Sequence, residues 1–275
     1  MIASAIQMVS GSDIAVNLND AVQLVKASVD AGAELVVLPE MFLMFGADNA
    51  VRRESFPISA QQEIVDTIAQ WAIDYGCWIV AGTLPLTTRV DGSHIEGERS
   101  KAACGVVNGQ GEWVAWYEKY HLFNASLLSG TERYQESDTF EPGREWVVFD
   151  SPWGRVGVAV CFDLRFAEMF LYFRQQGVQI VALPSAFTEI TGSAHWEVLI
   201  RARAIEHQMF VVAANQGGEH PCGRKTWGQS MIVDGWGRVL AQKEKGPGLA
   251  VATLDFDGLT AVLGAIPMSR VPNSY

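Results

Sequence analysis

Short apolar runs alternate along the chain with longer segments whose apolar residues recur at helical spacing, and this alternation predicts an α/β fold. Helices are predicted over residues 17–31, 61–75, 167–176 and 194–207. Strands are predicted over residues 2–9, 34–38, 78–82, 102–107, 113–118, 156–160, 178–183, 210–214, 228–233, 238–242 and 249–254. The segment 87–100 is polar and contains glycine, which predicts a loop or a hairpin connection.

The predicted strands are of two kinds, and together they indicate a mixed sheet. Strands that are apolar throughout are typical of a sheet that is covered on both faces. The sequence Asn108-Gly109-Gln110-Gly111 instead joins two strands as a hairpin, which makes those strands antiparallel neighbours. Helices then cover the outside of the sheet. No Pro/Ser-rich linker divides the chain, so we expect a single domain over residues 1–275, with 265–275 as a C-terminal tail.

Composition and charge exclude several classes of protein. The 275 residues are 49% hydrophobic, which supplies a large core, and the net charge is −11. This acidic balance argues against nucleic acid or an anionic membrane as the main partner, because both need a basic protein surface. No apolar run approaches the roughly 20 residues that span a bilayer, and no basic segment precedes the first strand pattern, so we expect a cytoplasmic protein.

Cysteine and histidine spacing gives no sign of a disulfide framework or a metal. The four cysteines contain no CxxC pair, and the five histidines lack the spacing of zinc ligands. We therefore expect no metal and no cofactor.

Three of the strand-like runs end on a chemically active side chain. Residues 34–38 lead through Pro39 to Glu40, residues 113–118 lead to Lys119, and residues 155–160 lead to Cys161. Each residue also has an ordinary structural interpretation: Glu40 can cap the next segment, Lys119 can be a solvated lysine, and Cys161 can be a small core residue. If the three strand ends meet, however, they supply a nucleophile, a base and a cation.

Together these segments resemble the three motifs of the nitrilase, or carbon-nitrogen hydrolase, superfamily, in the same order. The segments are Leu38-Pro39-Glu40, Glu118-Lys119-Tyr120-His121-Leu122-Phe123 and Val160-Cys161-Phe162-Asp163-Leu164-Arg165-Phe166. The resemblance implies a single-domain α-β-β-α sandwich with mixed sheets. It also implies a catalytic triad of Glu40, Lys119 and Cys161.

The resemblance further implies a mechanism of amide hydrolysis. Glu40 takes the thiol proton, and Cys161 attacks the amide carbonyl. Lys119 and the backbone N–H of Phe162 hold the oxyanion, ammonia leaves, and water hydrolyses the thioester. By the same resemblance, Glu136 is the candidate for orienting substrate or Lys119, although it can also be a solvated loop residue.

The segments after Pro184 look like the branch that contains deaminated glutathione amidases and omega-amidases. They include 184–187, 194–197, 201–206 and 230–237. These enzymes act on small amides that carry a carboxylate, which a bidentate arginine binds well. Arg165 is the candidate for that contact, and its alternative role is to pair with Glu168. His195 is a second candidate for substrate binding, or it belongs to a helix start.

Other functions remain open at this stage. An N-carbamoyl amide hydrolase or a nitrile hydrolase would share the triad, and a catalytically silent binding scaffold would share the fold. The resemblance implies a homodimer or a larger homo-oligomer, with the tail 265–275 crossing the interface.

Overall fold

The computed structural model describes residues 1–47, 56–89, 92–93, 95, 97, 99–126 and 133–268. Within these residues the helices are α1 (Ile14–Asp30), α2 (Ile58–Tyr75), α3 (Ala167–Gln175), α4 (Glu189–His207) and α5 (Phe256–Ala265). Two short 3₁₀ turns cover Glu136–Asp138 and Cys161–Arg165.

The described strands form two large sheets and one small pair. They are β1 (Ile2–Gln7), β2 (Leu35–Val37), β3 (Trp78–Val80), β4 (Leu84–Leu86), β5 (Lys101–Val107), β6 (Trp113–Glu118), β7 (Asn124–Ser126), β8 (Arg133–Gln135), β9 (Val147–Ser151), β10 (Gly154–Val158), β11 (Val178–Ser185), β12 (Phe210–Asn215), β13 (Ser230–Val233), β14 (Val239–Lys243) and β15 (Gly248–Thr253). The first sheet has the order β15-β1-β2-β3-β5-β4, with β6 also paired to β5. The second has the order β14-β13-β12-β11-β10-β9, and β7 pairs with β8.

Alternating side chains place the first sheet between two apolar layers. Leu35 and Val37 belong to the core that includes the second sheet, whereas Val36 belongs to the core that includes α1 and α2. Helices α3 and α4 supply Phe170 and Trp196 to the core of the second sheet. The layers are therefore helix, sheet, sheet and helix. Parallel and antiparallel pairings occur in both sheets, so the predicted mixed α-β-β-α sandwich is confirmed.

Helix starts are the main boundary errors of the sequence prediction. Helix α1 begins at Ile14 rather than at residue 17, because the Asp13 side chain accepts hydrogen bonds from the first free N–H groups. Helix α4 begins at Glu189 rather than near residue 194, with Thr188 as its cap. Glycine disfavours a helix, so Gly192 hid this early start in the sequence. A Cβ at that position would lie 2.2 Å from Trp227, so only glycine fits there.

Several short elements were not predicted from the sequence. They are β4, β7, β8, β9 and α5. Within the predicted connection 87–100, hydrogen bonds join Ile95 to Thr87 and Arg89 to Ser93, while residues 90, 91, 94, 96 and 98 lie outside the described residues. The predicted extent of the domain stays a prediction, and residues 269–275 of the predicted tail also lie outside the described residues.

Candidate active site

The ends of three strands from two different sheets meet at one buried point. Strand β2 leads to Glu40 and β6 leads to Lys119 in the first sheet, whereas β10 leads to Cys161 in the second. The Nζ atom of Lys119 lies 2.7 Å from Oε1 of Glu40, and the Cys161 thiol is close enough to both groups for their charges to shift its pKa. The exposed fractions of the three residues are 2%, 1% and 9% in chain order, so their interactions take place largely out of contact with bulk water.

Cys161 occupies a backbone conformation that few residues adopt. Its φ of 49° lies in the left-handed region, at the junction between β10 and the 3₁₀ turn. Such a conformation costs about 1–3 kcal/mol for a residue with a Cβ, and it is typical of functional sites. The backbone N–H of Ala186, which follows β11, faces the sulfur and favours its thiolate form, so it lowers the pKa of Cys161 against the effect of burial. The corner therefore aims the thiol at Glu40.

The pKa values of the three groups are strongly coupled. Burial raises the pKa of the Glu40 carboxyl, although the nearby Lys119 opposes the rise. Burial, together with the Glu40 carboxylate, holds the pKa of the Cys161 thiol well above its usual value. Burial lowers the pKa of Lys119, but the Glu136 and Glu40 carboxylates outweigh it and hold the pKa well above the usual range. The resting site therefore contains a neutral thiol and an ammonium, and the Glu40 carboxyl group binds a proton more tightly than an exposed glutamate does.

Glu136 is a second carboxylate on the same ammonium. Both of its side-chain oxygens lie 2.8 Å from Nζ of Lys119, and Oε2 accepts a 2.6 Å hydrogen bond from the N–H of Phe123. The loop that follows is fixed at Gly143, where a Cβ would lie 1.9 Å from the carbonyl oxygen of Glu118. Glu136 is thus half-buried and paired with Lys119.

A buried carboxylate that the sequence did not single out joins the lysine strand to the cysteine turn. Asp163 has no exposed surface. Its oxygens accept hydrogen bonds from the N–H of Val160 at 2.7 Å, the hydroxyl of Tyr117 at 2.6 Å and the N–H of His121 at 3.2 Å. Nδ1 of His121 also lies 2.7 Å from Asp163. The signal in the sequence was an acid two residues after the thiol, but its partners could not be inferred from spacing.

The same turn contains the N–H of Phe162, whose role as an oxyanion donor stays a prediction. The first hydrogen bond of the 3₁₀ turn is donated by the N–H of Asp163 to the carbonyl of Val160. The N–H of Phe162 precedes that bond, so it has no acceptor inside the turn. It follows the nucleophile directly along the chain, where an oxyanion donor is needed.

A polar pair that sequence reasoning missed holds the main chain of Glu40. Nε2 of Gln216 donates to the carbonyl of Glu40 at 3.1 Å and to Oγ of Ser10 at 2.9 Å. Ser10 in turn donates to the carbonyl of Phe42. All four residues are buried, and they lie in segments that follow β1, β2 and β12. The segments lie far apart in the sequence, so they form no local motif that would predict these contacts.

Arg165 and His195 contact one another beside the nucleophile turn. Both terminal nitrogens of Arg165 lie 3.3 Å from Nδ1 of His195, and the guanidinium stands over the ring of Phe187 at 5.4 Å. Burial lowers the pKa of Arg165, while the Cys161 thiolate would raise it. In the part of the chain that the structure describes, no carboxylate lies within 4.0 Å of Arg165, and Glu168 is exposed.

The described residues contain neither a membrane-spanning helix nor a cluster of metal ligands. None of their helices has the length and apolar character needed to cross a bilayer. No cluster of three or more His, Cys, Asp or Glu side chains in these ranges could hold a metal ion. The expectation of no metal stays a prediction.

A buried thiol between a carboxylate and an ammonium, set at the strand ends of a two-sheet sandwich, defines the class of hydrolases that act through a cysteine. The chain belongs to the carbon-nitrogen hydrolase family, whose sequence profile matches residues 2–262. It is an amide-hydrolysing enzyme.

Three proteins illustrate the similarity. The chain is 36% identical to the deaminated glutathione amidase of Yersinia enterocolitica, over 96% of this chain and 90% of that protein. It is 33% identical to the omega-amidase NIT2 of Xenopus tropicalis, over 92% of this chain and 88% of that protein. The crystal structure of the C. elegans NitFhit protein is similar with a TM-score of 0.90 and 32% identity; the match covers 100% of this chain and 66% of that one.

Proposed function

We propose that this enzyme is a thiol-dependent amidase that forms a thioester on Cys161. The observation that carries the proposal is the buried contact of Lys119 with Glu40 at 2.7 Å, with the Cys161 thiol close enough to both for their charges to shift its pKa. A base, a nucleophile and a cation are then in reach of one carbonyl group.

The first half of the reaction uses these groups in sequence. Glu40 removes the thiol proton as Sγ attacks the amide carbon, and the carbonyl π electrons move to oxygen. Lys119 and the N–H of Phe162 stabilise the oxyanion. When the intermediate collapses, the C–N bond breaks and Glu40 returns the proton to the departing amine.

The second half regenerates the enzyme. Water enters the place of the amine, and Glu40 takes one of its protons as the oxygen attacks the thioester. Collapse releases the carboxylic acid and the thiolate, which recovers its proton from Glu40. Glu136 keeps Lys119 in place throughout, because both of its oxygens contact Nζ.

The substrate class follows from Arg165 and from the similar proteins. Arg165 is a half-buried cation that has no carboxylate partner among the described residues and stands next to the nucleophile turn, so it can bind a substrate carboxylate. We place deaminated glutathione first, with 2-oxoglutaramate as the alternative named by the omega-amidases. Ammonia is the departing amine only for a primary amide; in deaminated glutathione the amide nitrogen belongs to cysteinylglycine.

A substrate panel and a trapped intermediate test this function. The purified enzyme is assayed for acid release from deaminated glutathione, 2-oxoglutaramate, an N-carbamoyl amino acid and a simple nitrile. We expect hydrolysis of the first two, and mass spectrometry should show a 2-oxoglutaryl adduct on Cys161 that is absent from Cys161→Ala. Activity on the last two compounds alone would contradict the substrate class. Unchanged activity in Cys161→Ala would contradict the mechanism.

We also propose that the enzyme is a cytoplasmic homodimer or larger assembly. All four cysteines are free, which suits a reducing compartment. Apolar side chains on and beside α4 are exposed in the single chain: Val198 at 68%, Trp236 at 51% and Ile205 at 48%. Burial of these side chains against a second copy would remove them from water.

A further inference from the structure

A row of half-buried aromatic rings leads away from the nucleophile turn. The ring of Phe162 lies 5.1 Å from that of Phe123, and Phe123 lies 5.3 Å from Tyr134. The row ends in a cation, because the guanidinium carbon of Arg224 stands 5.6 Å from the centre of the Tyr134 ring. All three rings keep part of their surface exposed. An organic substrate can pack against such a row of aromatic side chains.

The loop that carries Arg224 is fixed to the other side of the same site. Thr226 forms a bridge with Thr188, and the N–H of Trp227 donates to the carbonyl of Phe187 at 2.9 Å. Phe187 is the residue under Arg165, and it follows Ala186, whose N–H contacts the thiol.

The contacts therefore form a closed ring of residues that starts and ends at the nucleophile. Its members in order are Cys161, Phe162, Phe123, Tyr134, Arg224, Thr226, Thr188, Phe187 and Ala186. Arg165 and Arg224 stand at different places around this ring. One cation is beside the turn, and the other is beyond the aromatic row.

Arg224 is free to bind an anion. Its side chain is exposed, and among the described residues no carboxylate lies within 4.0 Å of it. Its neighbour Lys225 differs, since Nζ of Lys225 pairs with Glu219 at 3.3 Å. The loop is also held rigidly, because the hydroxyl of buried Thr226 donates a hydrogen bond to Nε2 of His220, whose Nδ1 donates to the carbonyl of Ser10, and accepts one from the N–H of Gly218. A fixed, unpaired guanidinium is well suited to a carboxylate.

We propose that Arg224 binds the carboxylate on the leaving-group side of a secondary amide, while Arg165 binds the carboxylate on the acyl side. The proposal rests on the amidase function proposed for Cys161. The successive contacts from Phe162 through Phe123 and Tyr134 to Arg224 measure 5.1, 5.3 and 5.6 Å. A leaving group of two extended residues covers about 7 Å of this row at most, and the long side chain of Arg224 can reach towards it. The leaving group is therefore a dipeptide-sized amine with a free terminal carboxylate. Ammonia has no group that could reach Arg224.

Two substrates with the same acyl group isolate this contact. Deaminated glutathione and 2-oxoglutaramate give the same 2-oxoglutaryl thioester, so they differ only in the departing amine. We expect Arg224→Gln to lower kcat/KM for deaminated glutathione by about tenfold, the size of one charge-assisted hydrogen bond at an exposed site. For 2-oxoglutaramate the value should stay within twofold. Lys225→Gln is the matched control, with no effect on either substrate, and Arg224→Lys should retain part of the activity.

Two further measurements separate recognition from an effect on folding. Deaminated glutathione whose terminal carboxylate is blocked as an amide should react about tenfold more slowly with wild type, and Arg224→Gln should add no further loss. Cysteinylglycine should inhibit 2-oxoglutaramate hydrolysis by the wild type about tenfold more strongly than by Arg224→Gln.

The possible failures are distinct. An equal loss on both substrates, no loss on either, or a wild type active on 2-oxoglutaramate alone would overturn the role of Arg224 and leave the thioester mechanism intact. A wild type inactive on every amide, with no adduct on Cys161, would overturn the amidase function as well.

Discussion

Lys119 lies between two carboxylates, and this arrangement determines what it can do. A buried lysine without partners tends to lose its proton, because burial disfavours the charged form. Glu40 and Glu136 reverse that tendency and keep the ammonium charged. The ammonium can therefore face an oxyanion during the reaction. In the proposed reaction, Glu136 secures this charge while Glu40 exchanges protons with the thiol and the amine.

His207 predicts an acid-sensitive contribution to stability. Burial lowers its pKa from 6.5 to about 4, its side chain is only 9% exposed, and neither ring nitrogen has a hydrogen-bond partner among the described residues. Between these two pKa values the unfolded chain binds a proton that the folded chain does not. The free energy of unfolding therefore falls as pH decreases through that window. At pH 7.5 the effect is absent.

Replacement of His207 by leucine should remove this loss. Between pH 7.5 and pH 5, we expect the wild type to lose about 1–2 kcal/mol more of its free energy of unfolding than His207→Leu. Urea denaturation of both proteins at the two pH values measures the difference. An identical pH dependence in the two proteins would contradict the burial of a neutral imidazole.

At the level of elements, strand β6 and the 3₁₀ turn are joined through one hydroxyl. Tyr117 donates to Asp163 at 2.6 Å and accepts from the N–H of Tyr120 at 2.9 Å. Burial, reinforced by Asp163, holds the pKa of Tyr117 well above its usual value, so the hydroxyl stays a donor. It thereby links the strand of Lys119 to the turn of Cys161.

Tyr117→Phe should therefore loosen the site. We expect a loss of about 1–3 kcal/mol in the free energy of unfolding, because the substitution removes one of the two hydrogen bonds to Oδ2 of buried Asp163 and leaves the N–H of Tyr120 without its acceptor. The rate of Cys161 alkylation by iodoacetamide should change as well. Tyr172→Phe is the matched control, since no hydrogen bond to that hydroxyl occurs in the described ranges. A variant with normal stability and normal alkylation would show that Tyr117 does not couple the two elements.

The long elements were predictable because the repeat of apolar residues that marks them lies within their own sequence. The strands that lead to Lys119 and Cys161 are of this kind, and the three-residue strand before Glu40 lies inside the continuous apolar run 35–38, so the centre of the site could be placed at strand ends. Strands β7 and β8 are three residues each, too short for a period to appear. The start of α4 was missed because Gly192 serves a tertiary contact with Trp227 that overrides its poor helix propensity.

For the whole molecule, the exposed apolar face of α4 predicts self-association. Val198→Glu places a charge at its most exposed position, and burial of that charge in an interface would be costly. We expect light scattering to show a dimer or larger assembly for wild type and a smaller species for Val198→Glu. Val16→Glu is the control, because Val16 is 55% exposed on α1. A monomeric wild type would contradict the assembly.

Contacts between segments that lie far apart along the chain could not be predicted from the sequence. The ring through Tyr134, Arg224 and Thr188 joins three loops, and the bond from Gln216 to Glu40 joins the ends of two sheets. No fixed separation along the sequence identifies the members of these pairs. They exist only because the sheets pack face to face.

The division of the triad between two sheets has a consequence for the newly made chain. Glu40 and Lys119 belong to one sheet and Cys161 to the other, so neither half contains a nucleophile with its base. Until the sheets dock, the sulfur is an ordinary thiol with no dedicated reactivity towards amides in its surroundings. The rate at which activity returns during refolding therefore reports the rate at which the two sheets dock. Partly folded molecules, in which the sheets have not docked, should not hydrolyse amides.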